Sequence, residues 1–233
     1  MDVELNFEKH HRLVREIIET IVLTILMFLI INQAVQNFDV VGMSMESRLH
    51  NGERVMVDKA TYLFHAPSRG DVIVFVAPPQ PTEDYVKRII GIPGDVISVK
   101  NGVPTVDGVT LKEFYLDPKR VSASPSDKPV NNLVVPAGEY FVMGDNRVDS
   151  YDSRSWGLLP RGNIIGRAAL VYWPLGQNNN GFLPDVSSVF AQVHQKGTAQ
   201  NSSSGNAAFS GAVQSAYTNT IVMNVVDVAD PWR

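Results

Sequence analysis

Asp71-Val-Ile-Val-Phe-Val76 opens a stretch that continues through Tyr85-Val-Lys-Arg-Ile-Ile-Gly-Ile92, Pro93-Gly94-Asp95 and Val96-Ile-Ser-Val99. Its apolar runs are short, rich in β-branched and aromatic residues, and cut by glycine and proline, which is the signature of strands joined by turns. The same pattern extends outward on both sides. Arg54-Val-Met-Val-Asp58, Leu133-Val-Val135, Tyr140-Phe-Val-Met143 and Ala168-Ala-Leu-Val-Tyr172 read as further strands. Asn51-Gly52, Arg69-Gly70-Asp71, Asn101-Gly102 and Asp107-Gly108 supply turn chemistry between them. No helical period separates the strands, so the expected fold class is mainly β, a compact and largely antiparallel, barrel-like arrangement. Asp117 to Asn132 carries Pro118, Pro125 and Pro129 and is expected to be an exposed insertion loop.

Composition narrows the function classes. The chain has 233 residues, 44% hydrophobic and 19% charged, enough for one substantial domain and an appendage or for two small domains. A net charge of −4 argues against a nucleic-acid surface. With no cysteine, disulfides and thiolate chemistry are excluded, and the five histidines lack ligand spacing, so no metal is expected.

Toward the N-terminus, residues 1–16 are polar and include Lys9, Arg12 and Arg15, whereas 17–35 is mainly apolar. About 19 residues at 1.5 Å each reach roughly the thickness of a bilayer's hydrocarbon core. The expected reading is one N-terminal transmembrane helix. A cleaved signal peptide fits less well, because Asn32-Gln33-Ala34 is a poor cleavage site, and a buried soluble helix is the other alternative. The basic cluster before the span predicts a cytoplasmic N-terminus, with everything after Val35 outside.

Just beyond lies Val40-Val-Gly-Met-Ser-Met-Glu-Ser-Arg-Leu49. Ser44, two residues after a glycine, is a candidate nucleophile if a base reaches it; read alone, it is a turn residue. Lys87 is the candidate base. Strand alternation puts Tyr85, Lys87 and Ile89 on one face and Val86, Arg88 and Ile90 on the other. Burial there would lower the lysine pKa toward a usable neutral amine, whereas an edge strand would let Lys87 snorkel to solvent. Gly144-Asp-Asn-Arg-Val-Asp-Ser-Tyr-Asp-Ser-Arg-Ser-Trp-Gly157 is too rich in charge and turn formers for a strand. Its Asp145, Asp149 and Asp152 would suit glycosidase or metal chemistry, but Arg147 and Arg154 beside them favour ion pairing. Ser150 could hydrogen-bond a neutral amine.

Gly42-Met-Ser-Met45, Arg69-Gly-Asp-Val-Ile-Val-Phe75, Tyr85–Asp95 and Gly144–Gly157, in that order, resemble bacterial type I signal peptidases, membrane-anchored Ser-Lys endopeptidases that share a fold with repressor-type proteases. The resemblance covers roughly residues 15–174. It implies Ser44 as nucleophile, Lys87 as general base, and Ser150 as the group that orients Lys87. Asp145, Asp152, Arg88 and Arg154 would be structural ion pairs. Phe38, Val40, Met45, Tyr85 and Val86 would line shallow pockets for small substrate side chains. It implies no cofactor, exported preproteins bearing signal peptides as substrates, and the lipid bilayer and export machinery as partners. The implied organisation is a cytoplasmic segment 1–16, an anchor 17–35, an extracytoplasmic protease domain 36–177 and a low-complexity tail 178–233, largely disordered, at the bacterial cytoplasmic membrane.

One departure stands beside the nucleophile. The family pattern continues after Ser-Met with a variable residue and then Pro-Thr-Leu; this chain has Glu46 and then Ser47-Arg48-Leu49. Arg48 would depress the Lys87 pKa further if it faced the lysine, or obstruct a hydrophobic substrate if it faced the groove. The second possibility motivates an alternative function, an impaired membrane-anchored paralogue that binds export substrates without cutting them. A soluble self-cleaving regulator shares the dyad but would lack the apolar N-terminal segment.

Overall fold

Both Asn101-Gly102 and Asp107-Gly108 have positive φ at each of their two residues, the geometry that closes two-residue hairpins between right-twisted strands. They join the strands at 96–100, 103–106 and 109–110 in a computed structural model that describes residues 2–46, 48–176 and 180–193, all within one unit, Met1–Lys196. In chain order the elements are α1 (Asp2–Ala34), β1 (Val35–Asp39), β2 (Arg54–Asp58), α2 (Thr61–Phe64), β3 (Val72–Ala77), β4 (Gln80–Gly91) and β5 (Val96–Lys100). There follow β6 (Val103–Val106), β7 (Val109–Thr110), β8 (Val130–Val134), β9 (Glu139–Met143), α3 (Ser153–Trp156), β10 (Leu159–Pro160), β11 (Ile164–Trp173) and β12 (Gly181–Phe182).

Every strand pair is antiparallel. One sheet runs β1-β2-β11-β3-β4-β9-β10, with β12 also on β11, and the second runs β7-β6-β5-β8. The mainly antiparallel β expectation therefore holds. Barrel-like closure does not hold among the described residues, where the hydrogen-bonded path of the large sheet ends at β1 and at β10. After Pro93-Gly94-Asp95, β5 leaves that sheet and starts the smaller one, with Arg69 and Asp95 paired at 2.5 Å beside the turn. Ile90, Ile97, Val106, Val130 and Phe141, from strands of both sheets, share one apolar cluster.

The insertion loop expected over Asp117–Asn132 is irregular up to β8, with one short 3-10 turn at Pro118–Arg120. Past residue 177, the expected start of a disordered tail, the chain is still packed. Val186, Val189, Phe190 and Val193 are buried in the cluster that holds Phe141. Their spacing of three, four and seven residues is the apolar period that marks one face of a helical segment. Residues 194–233 lie outside the described residues. Phe190→Ala is expected to destabilise the domain by about 3–5 kcal/mol, the usual cost of deleting a buried aromatic ring. Denaturant unfolding checks this, and a change under about 0.5 kcal/mol, the range of ordinary surface substitutions, would mean the segment is not part of the core.

The N-terminal anchor differs from expectation. Among the described residues no helix is long and apolar enough to cross a membrane. Its uncharged apolar centre, Ile21 to Ile31, is short and lies between Glu19 and Asn32-Gln33, and the helix yields to β1 at Val35. Even so, every large apolar side chain from Leu13 to Ile31 is 52–65% exposed, around the full circumference of α1.

Candidate active site

β4 places the candidate base. It lies between β3 and β9, not at an edge, and its residues from Lys87 to Gly91 are all buried. Register with β3 sets Lys87 opposite Ile73 and Tyr85 opposite Phe75. Alternation sorts the neighbours as expected: Tyr85 and Ile89 pack with Ile73 and Phe75, whereas Val86 packs against Val40, Met45 and Val72. Lys87 is only 4% exposed. Its Nζ lies 2.7 Å from Ser44 Oγ and donates to the Val86 carbonyl at 3.0 Å.

Burial lowers the Lys87 pKa from its ordinary value to about 8; the charges of Asp152 and Asp145 oppose that shift, and Arg154 reinforces it. Burial prevails because both carboxylates are already committed to guanidinium groups. Asp145 takes a bidentate pair from Arg88, at 2.9 and 2.7 Å, with both side chains 1% exposed. Asp152 takes Arg154 Nε at 2.8 Å and Nη2 at 2.7 Å. Burial raises the Asp152 pKa, but hydrogen bonds and charge from Arg154, with the Gly144 N–H and the Ser150 hydroxyl, outweigh it and hold the carboxyl below its ordinary value. The expected ion pairs are present. Ser150 has a different place: its hydroxyl donates to Asp152 Oδ2 at 2.7 Å, so its hydrogen bond goes to the carboxylate near Lys87 and not to the amine.

The Gly144–Gly157 segment also holds the turn that carries Ser44. The Asn146 N–H donates to the Ser44 carbonyl at 3.0 Å, and Asn146 Nδ2 donates to the Met43 carbonyl at 3.1 Å. Asn146 is 3% exposed and was not singled out in the sequence; the signal for it was its place in the motif. Gly144 sits so close that a Cβ there would overlap Ser150 Oγ and come within 2.5 Å of the Ser44 carbonyl oxygen. A side chain at residue 144 would push the two halves of the site apart.

Ser44 and Lys87 open onto a cleft of about 460 Å³. Phe38, Val40, Tyr85 and Val86 line it as expected, joined by Val74 and Tyr151. Met45 does not line it. Met45 is 1% exposed and packs beneath the cleft with Val40, Leu49 and Val55, because the turn that presents Ser44 points the next side chain into the core. Arg48 does not line the cleft either; its Nε donates to the Tyr115 carbonyl at 3.2 Å. Ser47 lies outside the described residues. Among the described residues no cluster of His, Asp or Glu could hold a metal ion.

A buried amine beside a serine hydroxyl, both lining a cleft with apolar walls, is suited to acyl transfer by a lysine-activated serine. Residues 14–173 match the sequence model of the family described as signal peptidase, peptidase S26. A signal peptidase I from Leptolyngbya laminosa is 40% identical over 141 residues, covering 58% of this chain and 66% of that protein. The signal peptidase IB of Staphylococcus aureus strain COL is 34% identical over 182 residues, 72% of this chain and 94% of its own length. A crystal structure of a signal peptidase I from Enterococcus faecalis V583 aligns at 32% identity over 44% of this chain and 97% of its own, with a TM-score of 0.38. With the family match running from within α1 to the last residue of β11, the chain belongs to the signal peptidases of the peptidase S26 family.

Proposed function

We propose that the chain is a membrane-held serine endopeptidase that removes signal peptides from exported preproteins, with Ser44 as nucleophile and Lys87 as general base. The observation that carries this reading is the 2.7 Å approach of a buried lysine amine to the serine hydroxyl in the cleft. With Nζ neutral, the Ser44 hydroxyl donates to it and loses its proton as Oγ attacks the scissile carbonyl. The Lys87 ammonium then protonates the leaving amine, and water hydrolyses the acyl-enzyme with the same base. The Ser44 N–H has no partner among the described residues and serves as an oxyanion donor. Phe38, Val40, Val74 and Val86 give the cleft apolar walls suited to small side chains before the cut. No step requires a cofactor.

Arg48 gives no support to the impaired-paralogue alternative, since its guanidinium is directed to Tyr115 and not into the groove. The exposed apolar side chains of α1 from Ile17 to Ile31 are the feature that holds the chain at a bilayer, since so large an apolar helix surface is stable only when covered. Carbonate extraction of membranes tests this: the chain is expected in the pellet, and recovery in the supernatant contradicts it.

The substrate reading is tested with the full chain in detergent and a secretory precursor carrying Ala-x-Ala before the cut. Cutting after the second alanine is expected, and a tryptophan in its place is expected to block it. Equal rates on both precursors would overturn the pocket assignment.

The pH dependence follows from Lys87. The active form is the neutral amine, so kcat/KM rises with pH, about tenfold per unit below a pKa of about 8, and levels off above it. At pH 7 roughly one molecule in ten has the neutral lysine, against roughly one in 2,500 for an exposed lysine. A profile flat from pH 6 to 9 would remove Lys87 as the titrating base.

A further inference from the structure

We infer that Arg48 is a positioning residue: with Glu46 it fastens the turn that carries Ser44 to the segment 113–120, and so sets Ser44 Oγ against Lys87 Nζ. The inference rests on the reading of Ser44 as nucleophile. The turn itself is short, closed by the Glu46 N–H on the Met43 carbonyl and by the Arg48 and Leu49 N–H groups on the Met45 carbonyl. Two side chains reach from it far along the chain. Arg48 Nε donates to the Tyr115 carbonyl at 3.2 Å, and Glu46 Oε2 accepts from Arg120 Nη2 at 3.5 Å.

Tyr115 is a junction of the site's framework. Its ring, 2% exposed, lies under the Arg88 guanidinium at 4.4 Å, and Arg88 is the neighbour of Lys87 and the partner of Asp145. Its hydroxyl donates to Glu113, at 2.6 Å, and Glu113 pairs with Arg147, whose Nε donates to the Gly144 carbonyl. Arg48 therefore ties the nucleophile turn to the residue on which the base strand and the Gly144–Gly157 segment already converge. Where the family pattern has a proline, which stiffens the turn through its own ring, this chain has Ser47 and a side-chain tether at Arg48. Misplacing a reacting group by about an ångström costs up to roughly a hundredfold in rate, so a loosened turn lowers kcat more than binding.

The experiment compares the full chain, Arg48→Ala, and Ser47→Pro/Arg48→Ala in detergent on the same precursor, with kcat and KM measured separately and Ser44→Ala as control. Arg48→Ala is expected to lower kcat about tenfold with KM within about twofold, and Ser47→Pro in the same chain to restore most of the loss, because a ring that fixes φ replaces the lost tether. An unchanged kcat, a loss confined to KM, or a loss that proline does not recover would each overturn the inference. Should Arg48→Ala not fold, Glu46→Gln, which loosens the same clamp at its Arg120 contact, is expected to lower kcat about threefold, and an unchanged kcat there counts against the proposal. Cutting by Ser44→Ala would instead overturn the nucleophile assignment itself, an outcome distinct from an Arg48 variant of full activity.

Discussion

Lys87→Met is expected to lower kcat/KM on a cleavable precursor by about a thousandfold or more, the scale of losing a general base that also returns the proton to the leaving group. The same substitution is expected to stabilise the fold. Lys87 titrates at about 8 in the folded chain against an ordinary value of 10.5. At pH 7 both states hold the proton, and the folded state bears the penalty of a buried ammonium, on the order of 3 kcal/mol for such a shift. The unfolded chain binds more protons than the folded one between those two values, so the stability of the parent chain rises with pH through that window. Methionine keeps the stem and removes the charge. Initial rates and thermal unfolding measured side by side check both parts. Retention of activity within tenfold would remove the base, and a lower melting temperature would mean that Lys87 makes a net structural contribution.

Asp152→Ala is the substitution with the largest expected cost to the fold. Among the described residues it leaves Arg154, 2% exposed, with Asp127 as its one carboxylate partner, and it strips acceptors from the Gly144 N–H and the Ser150 hydroxyl. Removing one member of a buried pair typically costs about 3–5 kcal/mol. It also removes the carboxylate that holds the Lys87 pKa up and leaves Arg154 to push it down, so the pH midpoint of any residual activity moves below that of the parent. Because the folded pKa of Asp152 lies below its ordinary 3.8, the stabilisation it provides is present above that value and fades as pH falls through the folded pKa. Denaturant unfolding at pH 7 measures the first effect and the rate profile the second. A destabilisation under 1 kcal/mol would show that Asp127 alone satisfies Arg154.

Local chemistry made much of this fold readable. Asn-Gly and Asp-Gly pairs marked the two hairpins of the small sheet, and β-branched runs marked β2, β3, β5, β9 and much of β4 and β11. The elements that escaped notice had their signals obscured by neighbours. β1 follows α1 without a break, so its Val35 was absorbed into an apolar helix, and β6 contains Pro104, which argues against a strand. The packed segment after residue 180 had its apolar spacing hidden by the polar, low-complexity sequence on either side.

The site was legible as residue types and order, but not as partners. Sequence spacing brought Lys87 and Ser44 into one argument only through their motifs, and a separation of 43 positions along the chain carries no distance information. Hydrogen-bond direction is a tertiary property, which is why Ser150 was expected on the amine and is found on Asp152, and why Arg48 was expected near Lys87 or the groove and is found on Tyr115. Met45 illustrates the same limit, since adjacency to a nucleophile does not say which way a turn directs the next side chain.

Ser44, activated by Lys87, is the proposed agent that cuts exported precursors. Incubating the full chain and its Ser44→Ala variant with an Ala-x-Ala precursor in detergent, and identifying the products by mass, tests it most directly. The parent is expected to release the signal peptide at that site and the variant to leave the precursor whole. Cleavage at the same position by the Ser44→Ala variant would contradict the account.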